Sequence, residues 1–164
     1  MATLSTNMNY LQPTGFRVVM DRKHLPNLNY FANSASHPNL NAAETLLPYQ
    51  RVNLRVATDK LTFGELQLNI IMDENMSAYE EMYNWMKALV EVNNTPNKDR
   101  TDTVRPTTAD VSLIPLTSNN NQTKIIKYLN CVPTSLGTIE FVTTNADEFI
   151  TFPVSFAFSY FELV

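Results

Sequence analysis

The chain has 164 residues, the size of one domain, and its apolar fraction of 44% is too high for a disordered protein. A net charge of −4, with only 12 Lys and Arg residues and no dense basic run, argues against direct binding to nucleic acid. One Cys and three scattered Gly exclude an intramolecular disulfide, a multi-cysteine zinc site and a glycine-rich phosphate loop.

The N-terminal residues have neither a basic start nor an apolar core, so no secretory signal is predicted. The most apolar stretch, residues 150–164, is too short and too interrupted by polar residues to span a bilayer. We therefore expect a soluble protein that is made in a reducing cytoplasm and has no membrane partner.

Alternation of apolar and polar residues with a period of two predicts the strands of the first half. A weak strand is expected over 16–20, and residues 21–49, rich in Asn and Pro, are expected to form a long loop. Val52, Leu54 and Val56 predict a half-buried strand over 51–57, and the same alternation predicts a strand over 65–73.

A helix is predicted over about 77–90. Ser77 and Glu80 have the spacing of a capping box, in which the serine accepts a hydrogen bond from the third helical N–H and the glutamate reaches back. Apolar residues then recur at helical spacing, and they should anchor the helix on the sheet: Met82, Trp85, Met86 and Leu89.

The second half begins with another expected long loop, residues 95–110, followed by weak strands over 111–116, 123–129 and 138–144. The last strand, 150–160, alternates large apolar residues with small ones. Short polar segments predict two hairpins, one joining 111–116 to 123–129 and one joining 138–144 to the last strand. The sequence thus predicts a single, mainly β domain over 1–164, an antiparallel β-barrel or sandwich with one packed helix and two long loops.

No catalytic or metal-binding constellation is predicted, and no cofactor is expected. Cys131 follows an apolar strand and is best explained as a small buried side chain. His24 and His37 lie in the aperiodic segment without a partner motif, and Glu80 and Glu81 fit a capped, solvated helix face better than an acid pair. We therefore do not expect an enzyme.

Long strands with small polar faces and few residues that would protect an edge suggest pairing with neighbouring copies. The small side of the last strand is the candidate inter-subunit strand: Thr151, Ser155, Ala157 and Ser159. An ordinary monomeric β-sandwich with one packed helix is the alternative that this pattern leaves open.

Two blocks of sequence resemble the tail tube proteins of T-even-like contractile-tailed bacteriophages, which are related to type VI secretion tube proteins. The first runs from Thr58-Asp59-Lys60-Leu61-Thr62-Phe63 through the strand Glu65 to Met72 and Asp73-Glu74 to a helix with Tyr83-Asn84-Trp85. The second runs from Ile125 to Leu129, through Val132-Pro133-Thr134-Ser135-Leu136-Gly137, to a last strand ending in Tyr160-Phe161-Glu162.

The resemblance implies a structural virion protein of the inner tail tube. Six copies would form a ring by strand pairing, and stacked rings would form a conduit for DNA ejection inside a contractile sheath. The implied partners are other copies of the chain, the tail sheath protein, the baseplate or tube initiator, the tape-measure protein, and viral DNA that passes without specific binding. The implied location is the virion tail, assembled in the cytoplasm of a bacterial host, and segments 21–49 and 95–110 would contact neighbouring subunits.

A polar channel without basic residues would let DNA slide, and three acids are candidates for its wall: Glu65, Asp73 and Glu140. The outer surface is an equally good place for them. Two alternatives stay open within and beyond the family. One is a tube initiator or terminator, or the tube subunit of a secretion or injection machine, and the other is a monomeric β-barrel that binds a small ligand.

Overall fold

A computed structural model describes residues 11–20, 25–94, 107–143 and 149–164. Within these ranges the chain is mostly strand, and two helices interrupt the strands. In chain order the elements are β1 (Phe16–Val19), α1 (Pro26–Tyr30), β2 (Ala32–Ser36), β3 (Leu40–Tyr49), β4 (Val52–Phe63), β5 (Leu66–Ile71), α2 (Ser77–Asn94), β6 (Ala109–Pro115), β7 (Ile126–Leu136), β8 (Thr151–Ala157) and β9 (Tyr160–Leu163).

Seven strands form one antiparallel sheet, the body sheet, in the order β1-β6-β7-β8-β5-β2, with β9 also paired to β7. The first half of β7 pairs with β6 and β9, and its second half pairs with β8. The sheet stays open, with β1 and β2 at its two ends, so the fold is sandwich-like and not a closed barrel. The expected mainly β, antiparallel fold with one packed helix is confirmed.

The core lies between α2 and the inner face of β5 and β8, where every second side chain is large and apolar. Leu68 and Phe156 are representative, with 1% and 0% of their surface exposed. Met82 and Trp85 of α2 are fully buried against this face, and Met86 and Leu89 pack on it while partly buried. The helix begins at Ser77, as the sequence predicts, and extends to Asn94, four residues beyond the expected end.

The prediction of a long loop over 21–49 is wrong. Within the described part of this segment lie α1, β2 and all ten residues of β3. The residues of β3 are exposed on both faces, so they carry no one-sided burial that would produce a readable alternation. The second expected loop, 95–110, falls mostly outside the described residues, and β6 begins at Ala109.

The prediction of a strand over 138–144 is also wrong, because residues 138–143 form no strand. The partner of the last strand is the end of β7 instead, where residues 132–136 pair with residues 154–157. The Gly137 N–H still donates to the carbonyl of Pro153, and the chain then leaves the sheet, although the alternation around Ile139 and Phe141 suits a strand. The predicted C-terminal strand is in fact two strands, β8 and β9, separated at Phe158 and Ser159. The hairpin predicted for the preceding pair of strands is confirmed as β6–β7.

Candidate assembly surfaces

A two-stranded arm projects from the body sheet. It consists of β3 and β4, residues 40–63, which pair with each other and form a separate sheet. The predicted strand 51–57 belongs to this arm, and its apolar side is exposed instead of half-buried: Val52 65%, Leu54 50% and Val56 43%. An isolated hairpin is only marginally stable in water, so we expect a neighbouring surface to cover this arm.

The two faces of the arm differ in chemistry. Cross-strand pairing places Tyr49 opposite Val52 and Leu47 opposite Leu54, which makes one face apolar. The other face carries an exposed ion pair in which Arg55 Nη1 donates to Glu44 Oε1 at 3.0 Å. We call the first the apolar arm face, defined by Thr45, Leu47, Tyr49, Val52, Leu54 and Val56. An exposed apolar patch on this scale is typical of an interaction surface.

An aromatic cluster holds the root of the arm against the body sheet. Phe63, the last residue of β4, has its ring 5.5 Å from that of Phe158 and 5.6 Å from that of Phe161. His37, just before β3, shares a hydrogen bond of 2.6 Å with the hydroxyl of buried Tyr128. The arm is therefore anchored at both of its ends to β7 and to the β8–β9 corner, while its length stays exposed.

The candidate inter-subunit strand lies inside the body sheet. Thr151, Ser155 and Ala157 belong to β8, and Ser155 pairs with Gln67 of β5 and Ser135 of β7 at the same time. Ser159 lies beyond the end of β8, where its N–H donates to the carbonyl of Leu129. From Val154 to Phe156 the backbone of β8 is paired on both sides within the subunit, which leaves no free edge there for a neighbouring copy, whereas Thr151 pairs with β5 alone. Among the described strands, the open edges of the body sheet belong to β1, β2 and β9.

The outer side of β2, β5, β8 and the second half of β7 carries mainly hydroxyl and amide groups, with exposed Pro153 and nearly buried Ser155 among them. Asn69 donates to the hydroxyl of Ser34 at 2.9 Å, and Thr134 donates to the carbonyl of Ser155 at 3.1 Å. We call this the polar face, defined by Ser34, Ser36, Gln67, Asn69, Ser135, Thr151 and Ser155. None of these seven side chains carries a charge.

The structure separates the three candidate channel acids. Glu65 is exposed and, by alternation along β5, lies at the margin of the polar face next to the arm root. Asp73 lies at the start of α2 and belongs to the helix terminus. Glu140 is exposed in the irregular segment after β7, since the strand that would have placed it on a sheet does not form.

Asp73 also stabilises the start of α2, for which the sequence predicts a capping box of Ser77 and Glu80. Its carboxylate accepts a hydrogen bond from the Ser77 hydroxyl, and the Ala78 N–H lies 3.5 Å from Oδ1. These bonds, the serine bond first, hold the pKa of Asp73 below its ordinary value despite some desolvation. An acidic residue four positions before a capping box was the available sequence signal.

An open groove of about 610 Å³ lies beside the beginning of β8. Its walls come from residues 138–143 and 149–153, and the side chains include exposed Phe141 and Phe149, 71% and 61% accessible. Glu140 is the one charged residue among those that line it. The groove is a second exposed apolar surface, and sequence analysis missed it because it assigned these residues to a strand.

The described residues offer little for catalysis. They contain no group of three or more His, Cys, Asp or Glu residues that could hold a metal ion. Cys131 is buried, as the sequence predicts, and burial raises the pKa of its thiol to about 11. Burial likewise raises the pKa of the Tyr128 hydroxyl. No helix in the described ranges has both the length and the apolar character needed to cross a membrane.

Comparison with known proteins gives a family and a fold. A family model described as "Phage tail tube protein" matches residues 3–163. No protein with a curated description matches the sequence.

Solved structures that contain chains of similar fold include the following three. A chain from the anti-feeding prophage cap, a tube-terminating cap, superposes with a TM-score of 0.68 at 13% identity, covering 99% of this chain and 95% of that chain. A chain from the sheath–tube complex of an extracellular contractile injection system, PVC, in its extended state gives 0.65 at 12% identity, with 99% of each chain covered. A chain from the anti-feeding prophage baseplate, 6-fold symmetrised, gives 0.63 at 11% identity, with 100% and 97% covered.

Proposed function

Since its family model matches residues 3–163, this chain belongs to the phage tail tube protein family, and we propose that it is the repeating subunit of an inner tail tube. That match over nearly the whole chain is the observation that carries the proposal. In this role the protein is structural and not an enzyme. It is a component of the virion tail, assembled in the cytoplasm of a bacterial host.

We propose six subunits per ring and a stack of rings inside a contractile sheath. The number six is supported by the similar chain from a baseplate described as 6-fold symmetrised, and the sheath by the similar chain from a sheath–tube complex. The baseplate or tube initiator, the sheath protein and the tape-measure protein are the proposed partners. A head-to-tail contact that closes on rotation produces such rings.

The exposed arm supports a role in assembly. A lone hairpin is only marginally stable in water. If a second copy covered the apolar arm face, that face would be removed from water and the arm would be stabilised. In this proposal the arm takes the place of the last strand, β8, as the element that reaches a neighbour, because the middle of β8 is paired on both sides within its own subunit.

We place the polar face toward the channel. DNA affinity is dominated by neutralisation of phosphates by Lys and Arg, and the seven residues of this face include neither. Glu65 at its margin would add one carboxylate per subunit and repel phosphate further. Passing DNA would then contact hydroxyl and amide groups, which bind phosphate only weakly and would not hold the DNA in the channel.

A tube initiator or terminator is the second candidate, supported by the similar chain from a tube-terminating cap. The tube subunit of a secretion or injection machine would share the same fold. A monomeric ligand-binding barrel has less support. Its cavity would have to lie between strands 51–57, 65–73 and 150–160, but the first belongs to the arm, and α2 covers the inner face of the other two.

Electron microscopy of the concentrated, negatively stained protein tests the proposal. We expect rings or stacked tubes with a central hole, and class averages would give the number of subunits. Single rings that never stack into tubes would favour the role of a tube terminator. A protein that stays monomeric at millimolar concentration, with or without added tube ends, would contradict both.

A further inference from the structure

The arm and the groove lie at opposite ends of the body sheet. The arm joins the sheet where β5 begins, because Phe63 closes the arm and Leu66 opens β5. The groove lies where β5 ends, since Ile71 pairs with Thr151 and Thr151 lines the groove. A contact between the arm of one copy and the groove of another is therefore head-to-tail and can repeat without limit.

The arm stands apart from the body sheet, because β3 and β4 pair only with each other and every residue of β3 is exposed. Each residue of a strand advances about 3.3 Å, so the ten residues of β3 span about 33 Å. The hairpin loop at the far end consists of Gln50 and Arg51, between paired Tyr49 and Val52. Its tip is thus well placed to meet another subunit.

The chemistry of the two surfaces is complementary. The apolar arm face presents Tyr49 and Val52 near its tip, and the groove presents Phe141 and Phe149. Arg51 is exposed at the tip and Glu140 is exposed in the groove. Neither has an ion-pair partner within the part of the chain that the structure describes. Opposite charges at the rim of an apolar contact fix its register and disfavour wrong partners.

We propose that the arm tip of one subunit occupies the groove of a subunit in the next ring, with Arg51 facing Glu140. This assignment rests on the proposed function and names the acceptor surface for the arm. It gives the groove a single occupant, a second copy of the chain, because the apolar walls and exposed acid of the groove complement the apolar face and the exposed arginine of the arm.

A charge exchange tests the pairing. Arg51→Glu and Glu140→Arg should each raise the concentration needed for tube formation at least about tenfold, because each places like charges together. The double variant restores opposite charges and should assemble near the wild-type concentration. Lys60→Glu, a reversal near the arm root, is the matched control and should assemble like the wild type. Circular dichroism confirms that each variant is folded.

Cross-linking gives a readout that does not depend on full tubes. Val52→Cys and Phe141→Cys proteins are mixed and oxidised, and disulfide-linked heterodimers are counted by mass spectrometry. Asn53→Cys, on the opposite arm face, is the control partner for Phe141→Cys. Buried Cys131 does not compete. Val52→Cys should give several times more heterodimer than Asn53→Cys.

Equal cross-linking by both arm positions, or a double charge variant no better than the single ones, would overturn the groove assignment. If the wild-type chain still forms tubes in that case, the proposed function stands and the arm docks elsewhere. If the wild-type chain forms no ring or tube, the proposed function itself fails.

Discussion

Asp73 has a structural role at the start of α2 that the sequence analysis did not assign to it. Its hydrogen bonds to Ser77 and to backbone N–H groups keep its pKa below the ordinary value. An acid whose folded pKa is lowered adds stability above its unfolded pKa of about 4, and the protein loses that stability as the pH falls through the folded pKa.

Asp73→Ala should lower the free energy of unfolding by about 0.5–1 kcal/mol at pH 7, because the start of α2 loses an acceptor and a favourable charge. The difference between variant and wild type should shrink below about pH 4, where the carboxylate takes up a proton. Urea denaturation at pH 7 and pH 3 measures both values. Glu74→Ala, an exposed neighbouring acid, is the control, and an equal loss there would contradict the capping role.

Cys131 allows a second test at the scale of one residue. Its thiol is fully buried, and burial raises its pKa to about 11, so little thiolate is present at pH 8. The folded protein should react with a maleimide far more slowly than the same protein in guanidinium chloride. Mass spectrometry over time gives the two rates. Rapid labelling of the folded protein would place the thiol near the surface.

At the scale of elements, the sequence predicts best where burial is one-sided. The alternation in β5 and β8 is clear because Leu68 and Phe156 are buried toward α2, while Gln67 and Pro153 on the opposite side are exposed. The same alternation in β4 correctly predicts a strand, but it wrongly predicts that the apolar side of this strand is half-buried. Val52 and Leu54 form an apolar face that is exposed in the subunit, and a sequence cannot say whether its own chain or another copy covers such a face.

The helix α2 depends on Trp85. This side chain is 1% exposed, and its ring lies 6.1 Å from that of Phe156. Trp85→Ala should cost about 3–5 kcal/mol because it leaves a large cavity between helix and sheet. Tyr83→Ala, on the exposed side of the same helix, should change the free energy of unfolding by less than about 0.5 kcal/mol. Denaturant titration compares them, and similar losses would place Trp85 outside the core.

The arm offers two adjacent leucines with nearly equal exposure, 51% for Leu46 and 50% for Leu47, on opposite faces. Leu47→Ser should raise the concentration needed for assembly several-fold to tenfold, because it removes about 1 kcal/mol of burial from the apolar arm face. Leu46→Ser should change it less, and neither should alter the melting temperature of the isolated subunit by more than a few degrees. Sedimentation of polymer measures the first quantity. Equal effects would mean that both arm faces are covered.

The whole molecule shows where sequence reasoning reached its limit. Family, class of fold and the packed helix could be predicted, because they depend on patterns within single elements. The position of Ser155 could not, since its place in a central strand depends on pairing with β5 and β7, which lie far away in the chain. Glu140 was misplaced for the same reason, because local alternation cannot reveal that β7 supplies the partner of β8 and that the chain leaves the sheet after it.

The orientation of the subunit in a ring is the property on which DNA passage depends, and the polar face makes it testable. If that face lines the channel, a cysteine at Gln67 in assembled tubes should react with a small maleimide but scarcely with a maleimide on a large polyethylene glycol, which cannot enter. Glu65→Cys should behave in the same way. Tyr83→Cys, on the exposed side of α2, should react with both reagents. Equal reactivity of all three cysteines toward the large reagent would mean that the polar face lies on the outside of the tube. The channel wall would then have to come from another surface of the subunit.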